Sequence, residues 1–339
     1  MYDELIKNKC KVSKLDPSVF YYFTTKLEGL LICHVDDFCY AGSEKFQTVI
    51  DNIKATFKIS SEDSTAFKYL GVEIQQCRKG IYISQSSYTD ELEEIHINSV
   101  RRKNKTLPVN DEERSSLRSS IGQLNWLSTQ TRPDISFDVC ELSNSFKTAT
   151  TNTLMKTNKV IRKVKQNKTS LLFPKMNLNS LKLVCYTDAS HGNLPDGGSQ
   201  GGMYIEVVSD DKKASIFWQS KRIQRVVKSS MAAETLALVE GLESALLIKS
   251  LLNEILHQNK KTIPIEAITD SKSVFQSAYS TNQILDKGQR INMSMLREYI
   301  AMKEVSLKWV PTDHQLANVL TKSGCDTSEI LKRVSCANV

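Results

Sequence analysis

The chain has 339 residues, 40% hydrophobic and 24% charged, with a formal net charge of +7. That length favours two domains over one, and the balance excludes a disordered or fibrous chain. The modest positive charge leans toward a polyanionic partner without naming it. Eight cysteines (Cys10, Cys33, Cys39, Cys77, Cys140, Cys185, Cys325 and Cys336) form no Cys-x-x-Cys pair and no zinc-finger spacing. They are expected to be reduced thiols packed in apolar surroundings. No apolar run reaches membrane-span length, and the N-terminus lacks the basic head and apolar body of a signal peptide. The expectation is an intracellular protein with no membrane partner, cytoplasm and nucleus left open.

In chain order, residues 1–95 carry short β-rich runs: Gly29 to Val35, Phe38 to Ala41, Tyr69 to Gln75 and Gly80 to Ser84. Asp36-Asp37 between the first two predicts a hairpin with acids at its turn. Residues 111–168 read as helical, with Leu117, Ile121, Leu124 and Ser128 on one face and a basic helix over 153–168. A polar, Asn-rich connector, Pro174 to Ser180, marks the domain boundary. Beyond it the prediction is strand (181–187), strand (201–208), strand (214–219), helix (230–257), strand (263–269), helix (271–279), helix (288–302), strand (305–310) and helix (314–322). This is α/β organisation whose first three strands form an antiparallel meander. Ser229 or Ser230 is the candidate cap of the long helix, and Ala232, Leu236, Val239, Leu242 or Leu246 supply its apolar face.

Three acids sit where such a fold places chemistry. Asp188 ends the first of these strands, Asp270 ends the strand at 263–269, and Glu234 falls in the first turn of the long helix. Converging carboxylates repel one another unless hard cations neutralise them, Mg²⁺ (or Mn²⁺) being the natural choice beside phosphates. Two such ions would clamp the attacking and leaving oxygens of a phosphodiester. Each acid also has a plainer reading: Asp188 and Asp270 as caps, Glu234 as a partner of its own helix dipole.

Order and context favour the first reading. Tyr186-Thr187-Asp188-Ala189-Ser190, Ser229-Ser230-Met231-Ala232-Ala233-Glu234, Thr269-Asp270-Ser271-Lys272-Ser273, Trp309-Val310-Pro311-Thr312 and Leu320-Thr321-Lys322 together resemble the ribonuclease H domain of copia-type retrotransposons, over residues 180–324. The resemblance implies metal-dependent hydrolysis of the RNA strand of RNA–DNA hybrids, with Asp188, Glu234 and Asp270 as catalytic metal ligands and two ions bound. One departure stands out: the family's fourth ligand, an Asp, is Asn318 here. A neutral amide at that degenerate fourth position is expected to weaken one ion site. Asp313 and His314, close by in sequence, are candidates to compensate.

The front half shows a second resemblance. Cys33-His34-Val35-Asp36-Asp37-Phe38, Phe67-Lys68-Tyr69-Leu70-Gly71-Val72-Glu73-Ile74, Gly80-Ile81-Tyr82-Ile83-Ser84-Gln85 and Thr131-Arg132-Pro133-Asp134-Ile135 match, in order, the later palm, thumb and connection of copia-type reverse transcriptases. The resemblance makes Asp36 and Asp37 the polymerase's catalytic pair, Asp36 a metal ligand. The usual Tyr before Val-Asp-Asp is His34 here. Only 35 residues precede Asp36, and Asp3 and Asp16 are the Asp residues among them. Asp16 matches a non-catalytic family position, so the partner Asp is missing and polymerisation by this chain alone is not expected; a truncated or decayed element copy is.

Basic clusters offer nucleic-acid contacts: Arg101, Arg102, Lys103 and Lys105; Lys156, Lys159, Arg162, Lys163, Lys165 and Lys168; and Lys221, Arg222, Arg225 and Lys228, the last set leading into the helix of Glu234. The expected architecture is α+β / α/β: a partial reverse-transcriptase palm with helical thumb and connection (1–175), a ribonuclease-H-like domain with a five-stranded mixed sheet and flanking helices (176–325), and a tail (326–339). Three readings stay open: a ribonuclease H acting on RNA–DNA hybrids, an inactive nucleic-acid-binding remnant, and a polymerase half completed by an upstream Pol segment.

Overall fold

The computed structural model describes residues 2–57, 59, 61–256, 262–284 and 286–335. Cys336, the rest of the tail beyond 335 and the last predicted residue of the long helix, 257, lie outside the described residues.

Apolar alternation and Gly-rich turns build three sheets. The first follows α1 (Tyr2–Lys7) and is a meander of β1 (Lys11–Val12), β2 (Val19–Phe23), β3 (Leu27–His34) and β4 (Asp37–Gly42), covered by α2 (Glu44–Thr56). Phe46, Ile50 and Ile53 of α2 bury against Phe20 and Leu31 of the sheet. The predicted hairpin forms: His34 pairs with Asp37, and Val35 takes a positive φ of 54° at its tip.

The second sheet contains β5 (Ala66–Tyr69), β6 (Val72–Cys77), β7 (Gly80–Ser84) and, after a helical excursion, β8 (Ser170–Pro174) beside β7. The run read as one strand over 69–75 is split, because Leu70 and Gly71 both take positive φ and turn the chain. The excursion comprises α3 (Ser86–Glu91), α4 (Ser99–Lys103), α5 (Asp111–Gln130), α6 (Ser136–Asn144) and α7 (Thr151–Gln166). Asn110 and Glu113 close a reciprocal capping box at the start of α5, which satisfies two otherwise orphaned backbone donors. The predicted face of α5 is buried, with Leu117 and Leu124 wholly enclosed. Arg132 and Asp134 form a buried, two-pronged ion pair at 2.7 and 2.9 Å, and Arg132 also donates to the Val164 carbonyl. The Thr131-Arg132-Pro133-Asp134 motif therefore joins α5, α6 and α7.

The third sheet uses β9 (Leu181–Ser190), β10 (Ser199–Ser209), β11 (Lys212–Ile223), β12 (Ile265–Thr269) and β13 (Val305–Trp309), in the order β11-β10-β9-β12-β13. The first three form the expected antiparallel meander, and β12 runs parallel to both β9 and β13. Between β11 and β12 lies α8 (Ser230–Leu256); α9 (Lys272–Tyr279) and α10 (Lys287–Ala301) precede β13. Leu238, Leu242 and Ala245 of α8 pack on Leu183, Cys185 and Ile205 of the sheet. Gly241 permits this closeness, since a Cβ there would lie 2.5 Å from the Thr187 side chain. The predicted helix over 314–322 is instead two short 3-10 turns, Thr312–His314 and Leu316–Leu320.

The segment past residue 326 contains α11 (Ser328–Ser335), whose Ile330 and Val334 bury with Leu171, Tyr204, Trp218 and Leu320. Trp218 also donates to the Ser128 carbonyl of α5 at 2.6 Å, and Glu254 of α8 accepts from Ser13 and the Lys14 amide. Among the described residues no helix is long and apolar enough to cross a membrane.

Candidate metal centre

Register brings the acids together. In the parallel β9–β12 pair Tyr186 faces Ile268, so Asp188 and Asp270, each two residues further on, leave neighbouring strands at the same level. Neighbouring strands lie about 4.8 Å apart. Glu234 descends from α8, which crosses this edge. Ser229 caps that helix through its hydroxyl to the Ala232 amide, and with the helix beginning at Ser230, Glu234 sits just past the first turn rather than within it. One ligand oxygen from each of Asp188, Glu234 and Asp270 lies within 4.8 Å of the others.

The plainer readings of these acids do not hold. Asp188 lies inside β9, paired to Gly202. The cap of α9 is Ser271, whose hydroxyl accepts from the Val274 amide. Burial and the neighbouring Asp188 and Asp270 push the Glu234 carboxyl up to about 9, and its Oε2 is buried without a hydrogen-bond partner. Burial likewise raises Asp188, against the lowering pull of Lys322 and Thr321. A buried, orphaned oxygen among three crowded carboxylates is the donor set of a hard divalent cation. The residues present fit such an ion.

The 3-10 turns close the site from the side. Gly202 lets them approach β10, because a Cβ there would stand 2.7 Å from Leu320 and 2.8 Å from Thr321. Gln315 donates to the carbonyls of Thr187 and Ile268, locking the turns to both acid-bearing strands. Thr321 donates its hydroxyl to Asp188 Oδ2. Asn318 donates through Nδ2 to the Thr312 carbonyl at 2.8 Å and accepts at Oδ1 from Lys322, also at 2.8 Å. Lys322 Nζ in turn lies 3.3 Å from Asp188 Oδ2. Local pattern assigns Gln315 no role and marks Thr321 and Lys322 only as letters of a motif; their closeness to Asn318 in sequence is the available signal. Asp313 and His314 are exposed and do not enter the carboxylate cluster.

Asp36 and Asp37 are both exposed, at the tip of the β3–β4 hairpin, and among the described residues no third acid gathers on them. In the third basic cluster, strand register places two residues at the acids' end of the sheet. Lys221 and Arg222 pair with Gly201 and Gln200 of β10, which pair with Ala189 and Ser190 of β9, so they share the sheet end of Asp188. Lys221 faces Glu240 at 3.8 Å, Arg222 meets Asp196 at 2.5 Å and Lys228 meets Asp286 at 3.5 Å, while Arg225 is exposed. Five cations on or just after α7 are engaged internally: Lys156 with Glu141, Arg162 with Glu94, Lys163 with Asp134 and Asp138, Lys165 with the Leu92 carbonyl, and Lys168 with Asp90. Arg101 of the first cluster holds Glu113 and the Pro108 carbonyl.

A five-stranded mixed sheet in this order, flanked by helices, is the ribonuclease-H-like fold. Similarity runs further than the fold: over 321 residues the chain is 25% identical to the retrovirus-related Pol polyprotein from transposon RE1 of Arabidopsis thaliana, covering 91% of this chain and 21% of that polyprotein. It is 25% identical over 61% of its length to the putative transposon Ty5-1 protein YCL074W of Saccharomyces cerevisiae, of which it covers 70%. The chain is thus similar to retrotransposon Pol proteins, as its motifs implied, and spans about a fifth of the length of the Arabidopsis polyprotein. Among solved structures, RNase H1 from the archaeon Halobacterium salinarum aligns with 41% of this chain and 94% of its own, at 22% identity and a TM-score of 0.32. No family model matches.

Proposed function

We propose that residues 176–325 act as a metal-dependent ribonuclease H of a retrotransposon Pol protein, hydrolysing the RNA strand of RNA–DNA hybrids. The observation that carries this reading is the convergence of Asp188, Glu234 and Asp270, with the Glu234 Oε2 buried and unpaired. Mg²⁺ or Mn²⁺ held there would supply Lewis-acid polarisation of the scissile phosphate. Asp188, on β9, and Asp270, just past β12, would hold the cation together with Glu234, which would bind it as the ionised carboxylate. Lys221, Arg222, Arg225 and Lys228 hold backbone phosphates beside the acids, and the hybrid is read by shape and 2′-hydroxyls rather than by sequence. Residues 1–175 form the palm, thumb and connection remnant that precedes this domain.

Asn318 favours a second reading, a nucleic-acid-binding remnant with little turnover, since its one acceptor oxygen is already engaged by Lys322. Cleavage of a labelled RNA–DNA hybrid by the full chain with Mg²⁺ or Mn²⁺ separates the two. The full chain is the right material because α11, beyond residue 325, contributes to the core. The nuclease reading expects weak cleavage by the wild type, faster cleavage by Asn318→Asp and none by Asp188→Asn. Equal backgrounds for wild type and Asp188→Asn would leave the remnant reading.

A further inference from the structure

Lys322 connects Asp188 with Asn318, the residue standing at the motif's fourth ligand position. Its ammonium lies 3.3 Å from Asp188 Oδ2 and 2.8 Å from Asn318 Oδ1. Thr321 donates to the same Asp188 oxygen. The Asn318 amide is held in orientation, because its Nδ2 donates to the Thr312 carbonyl; turning it over would set two acceptors face to face. Asn318 Oδ1, the one oxygen of that side chain able to ligate a metal, thus points at an ammonium. The turn carrying Lys322 is itself fixed, by Gln315 to β9 and β12 and by the close approach over Gly202.

We propose that this centre takes a single divalent ion and that the Lys322 ammonium is the resident cation at the position of the second. The proposal rests on the metal-centre reading above and replaces the two-ion expectation drawn from the motif. Three carboxylates less one ammonium leave two negative charges when all are ionised, which one divalent ion balances. An acid at position 318 would leave three, more than one ion neutralises. A lysine serves here because its compact, fully donating head fits between two acceptors, and unlike a metal ion it needs no ligand shell and cannot be chelated away.

Counting bound Mn²⁺ by calorimetry and electron paramagnetic resonance on the full chain tests this without turnover. Wild type is expected to bind one ion at this centre, a signal that Asp188→Asn loses. Lys322→Met combined with Asn318→Asp is expected to bind two. Lys322→Met alone keeps one ion and binds it about tenfold tighter, as a repelling charge a few ångströms away is removed. Lys322→Gln, which retains a donor for Asn318 Oδ1, gives the same tightening if the methionine variant does not fold. Two ions on the wild type, none, or identical Mn²⁺ binding by wild type and the folded Lys322 variants would each overturn the proposal. Failure of the nuclease reading looks different: one ion bound, with no hybrid cleaved.

Discussion

Among the described residues, two sets of carboxylates contrast, and one of them converges in space. Asp36 and Asp37 are adjacent in sequence and share a hairpin tip, yet both face solvent and nothing acidic joins them among the described residues. Asp188, Glu234 and Asp270 are separated by 46 and 36 positions in the sequence, yet their oxygens gather within 4.8 Å. Adjacency in a motif gives two charges that water can screen. Convergence of three elements gives charges that burial cannot tolerate without a cation, and the raised Glu234 carboxyl is the sign of that cost.

The sharpest way to break the contrast is Asp188→Asn. It removes a ligand from the buried set, and hydrolysis of an RNA–DNA hybrid is expected to fall on the order of a thousandfold. A fall of only a fewfold would mean that the cluster is not the chemical centre.

A second test concerns how the helices of the first half are held together rather than what the chain does. Arg132→Ala leaves the Asp134 carboxylate buried, with Lys163 3.7 Å away as its remaining cation. Breaking a buried pair from one side costs about 3–5 kcal/mol, read as a lowered urea midpoint. Replacing both partners by apolar residues, Arg132→Met with Asp134→Leu, is expected to recover most of it. If the single change costs no more than the double, the pair is not what joins α5, α6 and α7.

How much of this was legible in the sequence follows the range of the interactions. The meander, the long helix and the strands at 265–269 and 305–309 show in local periodicity, and the three acids show because each lies near the end of an element. The hairpin shows because Asp36-Asp37 separates two apolar runs. The split at Leu70-Gly71 is not legible because it lies inside a continuous β-prone run, with Gly71 the one cue. The expected helix over 314–322 gives way to 3-10 turns: Leu316 and Leu320 sit at helical spacing, but Gln315 and Gly202 impose tertiary contacts that override it. The same holds for β8, whose pairing with β7 spans 90 intervening positions or so, a partnership that no local window reports.

A third and gentler test uses pH in the absence of metal. The Glu234 carboxyl is raised to about 9 in the folded chain, above its unfolded value of about 4.3. The folded state therefore binds this proton more tightly, so the contribution is full below the unfolded value and is lost as pH rises through the folded one. The Tm of the chelator-treated chain is expected to decline from pH 5 to pH 9, and Glu234→Gln, which cannot ionise, should flatten that slope. Adding Mn²⁺ should flatten it too, by compensating the charge. A slope unchanged by Glu234→Gln would place the titration elsewhere.

The smallest expected effect falls on the front pair. Asp36→Asn and Asp37→Asn change exposed side chains at a hairpin tip, and exposed substitutions away from special backbone positions usually stay within about 0.5 kcal/mol. Hybrid cleavage should be unaltered by either, within about twofold, because the tip contributes nothing to the carboxylate cluster of β9, α8 and β12. Primer extension by the unmodified chain should be absent for the same physical reason: two carboxylates in water hold no metal in place. Extension that disappears in Asp36→Asn would reverse the comparison, since it would require a further acid, from another segment or another chain, to complete at that tip what Asp188, Glu234 and Asp270 already complete among themselves.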